Sequence, residues 1–278
     1  MRRNFESKVV VVTGASRGLG AAVALAFAGR GAKIALLARS AEQLSQVAAR
    51  AKALGAEAMT WPTDVSDWDA AQEAIRGILN HWDRIDVLVN AAGVKHEGPI
   101  ERTSVNEATT ALGVNYLGAL ACCKVVIPAM RRQGGGHGGH IINVSSVLGK
   151  RATPERGVYS ASKAALNAMT DALRLELWGT GIHVTLVCPG RLTESSIGRG
   201  RWLAMTPEQA AARIVQCVDR LPREVVLTPA GRALAVLNAL APGLVDRVLL
   251  YWRHRDREVR ADTEVASRHN MSTERELP

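Results

Sequence analysis

A chain of 278 residues is long enough for one large α/β domain and too short for two full-sized ones. With 47% hydrophobic but only 4% aromatic residues, its core must be built from Ala, Val, Leu and Ile, a mixture that suits helices packed on a parallel sheet. The formal charge of +9 favours anionic partners, but the basic residues are scattered among acidic ones and no reader motif accompanies them; no nucleic acid partner is expected, and an anionic cofactor or acyl carrier is the expected use of the charge.

Taken from the N-terminus, Met1-Arg2-Arg3 and a following apolar run have the look of a secretion signal. The run stops after the four valines at 9–12, however, at Thr13-Gly14 and with no small-residue cleavage site, so it reads as a first strand. Such a fully apolar, β-branched run is expected in a central parallel strand covered on both faces. It leads into Thr13-Gly14-Ala15-Ser16-Arg17-Gly18-Leu19-Gly20 and an Ala-rich helical stretch over 21–29. The pattern repeats as strand 33–38, helix 41–54, strand 56–61, helix 68–82 and strand 85–90. Residues 104–132 read as one long helix, irregular near Gly113 and ended by the glycine run 134–139, which holds His137 and punctuates the chain rather than binding a nucleotide. A strand at 141–144, a helix at 158–178 and a strand at 183–187 complete the regular part. Alternation of this kind implies an α/β fold, a Rossmann-type doubly wound parallel sheet of about seven strands with helices on both faces and ligands at the carboxyl ends of the strands.

Beyond Pro189-Gly190 the rhythm changes. Residues 191–205 read as irregular, 207–221 as a helix and 224–228 as a seventh strand. The segment 191–221 is the expected substrate lid, with Trp202, Leu203 and Met205 giving it an apolar surface. Residues 233–252 are apolar but interrupted by Pro242, Asp246 and Arg247, which falls short of a membrane span. A packed or oligomer-contacting helix is expected there; the competing expectation is an interfacial membrane helix inserting Leu249, Leu250, Tyr251 and Trp252. From Arg253 the chain is polar and expected to fray. The sequence as a whole is read as a single domain, 1–278, with a C-terminal extension from about 232. Cys122, Cys123, Cys188 and Cys217 form no Cys-x-x-Cys pair and no zinc-ligand spacing, so reduced structural thiols, no metal and a cytoplasmic location are expected.

A pyrophosphate needs backbone N–H groups at close approach and the positive end of a helix dipole. Gly14, Gly18 and Gly20, placed between a strand and a helix, are the candidates to provide both. Tyr159 and Lys163, four apart on one helix, share a face, so an ammonium can stabilise the phenolate and draw its pKa toward the working range. At the end of the second strand, where an acidic residue usually meets a ribose hydroxyl, the chain reads Ala38-Arg39-Ser40. Nothing there repels a 2′-phosphate, and Arg39 with Arg17 can attract one, so NADP(H) is expected over NAD(H).

These features together resemble the short-chain dehydrogenase/reductase family. Its signature T-G-x-x-x-G-x-G is matched from Thr13 to Gly20, followed by Asn90-Ala91-Ala92-Gly93, Asn115, Ser145-Ser146, Tyr159-x-x-x-Lys163 and Pro189-Gly190, all in the family's order over about residues 7–230. The resemblance implies a catalytic set of Asn115, Ser146, Tyr159 and Lys163. Ser146, thirteen residues before Tyr159, would hold the substrate oxygen, Tyr159 would donate the proton, and Asn115 would hold a water linking Lys163 to solvent; the alternative for Asn115 is a bond to a helix-kink carbonyl. It implies cofactor contacts at Gly14, Ser16, Arg17, Gly18, Leu19, Gly20, Arg39, Ser40, Asp64, Val65, Asn90, Ala91, Gly93, Tyr159, Lys163, Pro189 and Gly190, although Asn90 is equally a structural strand-end residue. The family's nicotinamide-gripping threonine falls at Glu194 here, with Thr193 one step earlier as the candidate.

The expected activity is thus the interconversion of a small-molecule carbonyl and a secondary alcohol, on a hydrophobic ketone or a 3-ketoacyl thioester, by a homodimer or homotetramer. The competing function is a non-catalytic NADP(H)-binding sensor or scaffold, possible at a membrane surface, against which the intact proton-relay residues argue.

Overall fold

The computed structural model describes residues 5–133, 138–193 and 203–251. The chain divides into two compact units with the boundary after Arg232, at the start of the expected C-terminal extension.

In the larger unit β1 (Val9–Thr13), α1 (Gly18–Ala28), β2 (Lys33–Ala38), α2 (Ala41–Ala53), β3 (Ala58–Pro62), α3 (Trp68–Trp82) and β4 (Val87–Asn90) alternate in the expected order. The single helix expected over 104–132 is two helices, α4 (Val105–Leu112) and α5 (Gly118–Arg132), joined by a π-helical turn, Gly113–Leu117. By length and composition Val105–Arg132 is apolar enough to cross a bilayer, but half of its most apolar stretch is buried inside the protein, as in a core helix. Next come β5 (Gly139–Val144), α6 (Gly157–Glu176) and β6 (Ile182–Cys188). Where irregular chain was expected after Pro189-Gly190, β7 (Arg191–Leu192) pairs in parallel with β8 (Ala204–Met205). Then follow α7 (Pro207–Arg220), β9 (Glu224–Val226) and α8 (Pro229–Leu240), within whose first turn the unit boundary falls.

Seven strands form one parallel sheet in the order β3-β2-β1-β4-β5-β6-β9. The chain builds outward from β1 in one direction and, from β4 onward, in the other. The topological switch point therefore lies at the carboxyl ends of β1 and β4, where an open α/β sheet leaves a crevice.

The four valines of β1 show why both faces are covered. With period two, Val10 and Val12 enter one layer with Phe27, Leu36, Val47 and Ile214, while Val9 and Val11 enter the other with Leu37, Ile75, Val126 and Leu173. Each fully buried Val, Leu or Ile contributes about 1.5–3 kcal/mol relative to exposure. At the opposite end of the sheet the half-buried Asp86 carboxylate accepts the Val9 amide at 2.9 Å and pairs with Arg84 and Lys8. Burial works against that charge, but the hydrogen bonds from Arg84 and Val9 hold its pKa below the ordinary carboxylate value.

In the smaller unit, helical chain resumes over 242–251 after a break at Ala241, with Pro242 in the first turn, where its missing N–H costs nothing. Trp252 and the segment expected to fray from Arg253 lie outside the described residues.

Candidate active site

β1 ends at the switch point on Thr13, whose buried hydroxyl accepts the amides of Ala91 and Ala92, both at 3.1 Å. That bond stitches the exits of β1 and β4 together, a task the sequence signalled only through the threonine that opens the glycine motif. Gly14 has φ +68°, and a Cβ on it would stand 2.7 Å from the Ala92 Cα. A Cβ on Gly20 would stand 2.2 Å from the Gly14 carbonyl oxygen, so the first turn of α1 rests directly on the chain leaving β1. Gly18, at φ +55°, faces open space. The N-cap of α1 is the extended Arg17, with no side-chain cap and no acidic residue in the first turn. Amides that would otherwise be satisfied by a cap are left for an external acceptor, at the positive end of the helix dipole. Ser16 is half-buried and Arg17 exposed beside this turn, while Leu19 packs against the core. A bound pyrophosphate fits these residues: close approach, donors, and no competing carboxylate.

The end of β2 places Ala38 in the core and Arg39 in solvent, with 71% of its side chain exposed. The nearest carboxylate to its guanidinium is Asp64, at 4.0 Å. Burial opposes the Asp64 charge, but the Ser66 hydroxyl at 2.7 Å, the Ser66 amide at 2.9 Å and the Arg39 charge together lower its pKa. Two expected cofactor residues have structural tasks here. Ser40 caps α2 by accepting the Gln43 amide at 3.3 Å. Val65 is buried beside α5, where a Cβ on Gly118 would come within 2.6 Å of the Val65 carbonyl oxygen.

Asn90 is tied inward. Its Nδ2 donates to Asn143 Oδ1 at 2.8 Å, Asn143 Nδ2 donates to Thr170 Oγ1 at 2.9 Å, and Thr170 donates to the Leu166 carbonyl at 2.6 Å. This buried chain joins β4, β5 and α6, the structural option foreseen for Asn90, and sequence reasoning missed Asn143 and Thr170 altogether. Ala91 and Gly93 follow on the crevice floor. A Cβ on Gly93 would lie 3.2 Å from Asn115 Oδ1 and 3.5 Å from Lys163 Nζ.

Asn115 sits in the π-helical turn and is buried. Its amide clamps the backbone of Val94, accepting the N–H at 2.9 Å and donating to the carbonyl at 3.0 Å, and also donates to Ser162 Oγ at 2.8 Å. Ser162 in turn donates to the Tyr159 carbonyl at 2.8 Å. The water-holding role implied for this asparagine is thereby left to the second lone pair of Oδ1 and to the main chain. A carbonyl partner was foreseen for Asn115, but in the loop at Val94 rather than at the helix kink.

Lys163 is buried, and its ammonium donates to the Val144 carbonyl at 2.9 Å. Burial pulls its pKa down to about 8. Ser146, at the end of β5, accepts the Leu148 amide at 3.1 Å and lies within hydrogen-bonding reach of the Tyr159 phenol. Burial raises the pKa of that phenol; the Ser146 hydrogen bond and the Arg156 charge oppose the rise without reversing it. The lowering expected from Lys163 is thus not what sets the phenol in this structure. Arg156, whose guanidinium pairs with Glu97, is a charge that sequence reasoning overlooked although it stands one turn before Tyr159. Ser145 is engaged elsewhere, with Asn167 Oδ1 at 2.6 Å and the Lys163 carbonyl at 3.3 Å, so the two adjacent serines divide into a crevice residue and a structural one.

On the far wall the Pro189 carbonyl accepts the Val147 amide at 3.0 Å, and a Cβ on Gly190 would collide with Thr228 Oγ1 at 2.2 Å. Thr193 follows β7, its amide bonded to the Met205 carbonyl at 3.0 Å. Met205 is a core residue rather than part of a lid surface, because β8 draws it under the sheet-covering layer; Leu203 is exposed, and Glu194 and Trp202 lie outside the described residues. All four cysteines are buried free thiols. Burial pushes Cys188, beside Pro189, up to about 12, which leaves it inert as a nucleophile.

The crevice thus gathers a phenol and a serine hydroxyl within reach of each other, a buried ammonium one helical turn away, and a glycine turn whose geometry fits a pyrophosphate. Such a set can hold and protonate a carbonyl oxygen beside a dinucleotide. Comparison with known proteins points the same way. A family model described as short chain dehydrogenase matches residues 8–201. A ketoacyl reductase from Nostoc, HetN, is 32% identical, with 87% of this chain and 88% of that protein covered. A metagenomic short-chain oxidoreductase solved in complex with NADP superimposes with a TM-score of 0.73 at 33% identity, covering 82% of this chain and 99% of that one. A short-chain dehydrogenase/reductase from Burkholderia phymatum, solved in complex with NAD, gives 0.79 at 26% identity over 87% and 96% of the two chains.

Proposed function

The chain belongs to the short-chain dehydrogenase family, and on that premise we propose that it is an NADP(H)-dependent oxidoreductase interconverting a carbonyl and a secondary alcohol. The observation that carries this proposal is the Ser146 hydroxyl within reach of the Tyr159 phenol, with buried Lys163 one turn further along α6. In reduction Ser146 and Tyr159 both donate to the substrate oxygen, orienting the carbonyl and stabilising its growing negative charge. A phenol held above its ordinary pKa keeps its proton until that charge develops, then releases it to the oxygen. Lys163, titrating near 8, is poised to hand a proton on at neutral pH. Asn115 contributes by fixing Val94 and Ser162 around this pair. The bound nicotinamide supplies the hydride that the carbonyl carbon accepts.

Preference for the phosphorylated cofactor follows from Ala38 in the place of an acid, with Arg39 and Arg17 both exposed nearby. Asp64 offsets part of the Arg39 charge but, at 4.0 Å, does not hold it in a tight bond. A hydrophobic ketone or a 3-ketoacyl thioester is the proposed substrate, the second in keeping with the ketoacyl reductase relative. We extend the proposal to a cytoplasmic homo-oligomer; four buried reduced thiols agree with such a compartment. Calorimetric titration of NADPH and NADH into the wild type and Arg39→Ala tests the cofactor assignment. Loss of one charge-assisted bond weakens NADPH about tenfold or more and leaves NADH nearly unchanged. Equal weakening of both cofactors would overturn the assignment.

A further inference from the structure

We propose that the cleft between α7 and the edge strand β9 is a second anion site that takes a phosphate-bearing small molecule. The cleft encloses about 360 Å³, at the lower end of the size of small-molecule sites. Arg213, Arg220 and Arg232 line it together with Gln216, over an apolar floor that includes Val225 and Val226. Arg213 and Arg220 are seven residues apart on α7, two turns and about 10 Å along one face, with Gln216 between them. Neither has an ion-pair partner among the described residues. Arg232 is anchored through its Nε to the Val226 carbonyl at 2.8 Å, which presents the rest of its planar fork to the cleft.

The carboxylates nearby are turned away or taken. Asp219, on α7 itself, holds Arg30, in the turn just after α1, through two bonds of 3.0 and 3.1 Å. Asp171 binds Arg174 and Arg223. Glu224, the one acid in the lining, is engaged by Lys150 at 2.8 Å. Three guanidiniums thus converge without neutralisation, a cost that a dianionic or diphosphate group would relieve through charge-assisted, bidentate bonds. The cleft is also separate from the glycine turn: β9 stands four strand spacings from β1, roughly 19 Å across the sheet. Whether the crevice at β1 takes NADP(H) therefore has no bearing on it.

Isothermal titration of inorganic pyrophosphate into the full chain tests the proposal, using Arg213→Gln/Arg220→Gln and, to control for the glycine turn, Arg17→Gln/Arg39→Gln. All four side chains are exposed, so both variants are expected to fold, which circular dichroism checks. The expected result is pyrophosphate binding that persists in the second variant and weakens about a hundredfold in the first, whose NADPH affinity is unchanged. Binding that survives in the first variant, vanishes with the second, or is missing from the wild type overturns the site.

Discussion

Lys163 is the least comfortable residue of the crevice: a buried ammonium whose single hydrogen bond among the described residues is to the neutral Val144 carbonyl. Its folded pKa of about 8 lies below the ordinary 10.5, so between those values the unfolded chain binds more protons, and stability rises with pH across that window. Below pH 8 the charged side chain costs about 3 kcal/mol, partly offset by the bond to Val144, whose loss itself costs about 1–3 kcal/mol. Lys163→Met should therefore be no less stable than wild type at pH 7 while losing turnover, and its relative stability should fall as pH climbs from 8 to 10. Urea unfolding at the two ends of that range checks this; a pH-independent difference would mean that burial does not lower the pKa and that the buried lysine keeps its charge across the range. Tyr159 and Lys163 were legible in the sequence because helical spacing places side chains on one face without reference to distant chain, and Ser146 through the family resemblance together with its place at a strand end. Asn115 and Asn90 were less so. Their partners are a backbone amide and carbonyl at Val94 and a side chain on β5, and main-chain acceptors carry no residue code.

At the scale of elements, the junction of β1 with α1 is the tightest part of the crevice, and its glycines are not equivalent. Gly20→Ala sets a methyl 2.2 Å from a backbone oxygen and must push α1 off the strand exit, an overpacking cost of about 3 kcal/mol, with NADPH affinity lost as well. Gly18→Ala meets open space and incurs only the strain of a positive φ, about 1–2 kcal/mol. Thermal unfolding of the two variants should rank them in that order; equal or reversed destabilisation would contradict the packing described for this turn. The alternation of strands and helices was legible from apolar period and glycine punctuation. The π-helical turn was visible only as irregularity near Gly113, because composition does not report which carbonyl an amide chooses. β7 and β8, two residues each, are too short to show any period at all.

Across the whole molecule, the order β3-β2-β1-β4-β5-β6-β9 gathers the glycine turn, Arg39, Gly93, Ser146 and the start of α6 at one edge of the sheet, although they span more than a hundred residues of sequence. A parallel doubly wound sheet was implied by the sequence. Strand order was not read from the sequence, since pairing partners leave no local trace in apolar runs that are alike. The net charge of +9 makes sense at this scale: one part lies by the glycine turn, in Arg17 and Arg39, and another lines the cleft beside β9. Neither cluster stands out in a composition dominated by scattered arginines, which is why the second was not anticipated.

The most direct test of the central claim is the rate at which NADPH absorbance is lost with a panel of ketones and 3-ketoacyl thioesters, measured for wild type and Tyr159→Phe side by side. The wild type should reduce at least one compound, and the variant should be slower by about 10²–10⁴-fold while binding NADPH as before, since only the proton donor has gone. A variant that turns over as fast as wild type would contradict the role assigned to Tyr159 and, with it, the proposed reaction.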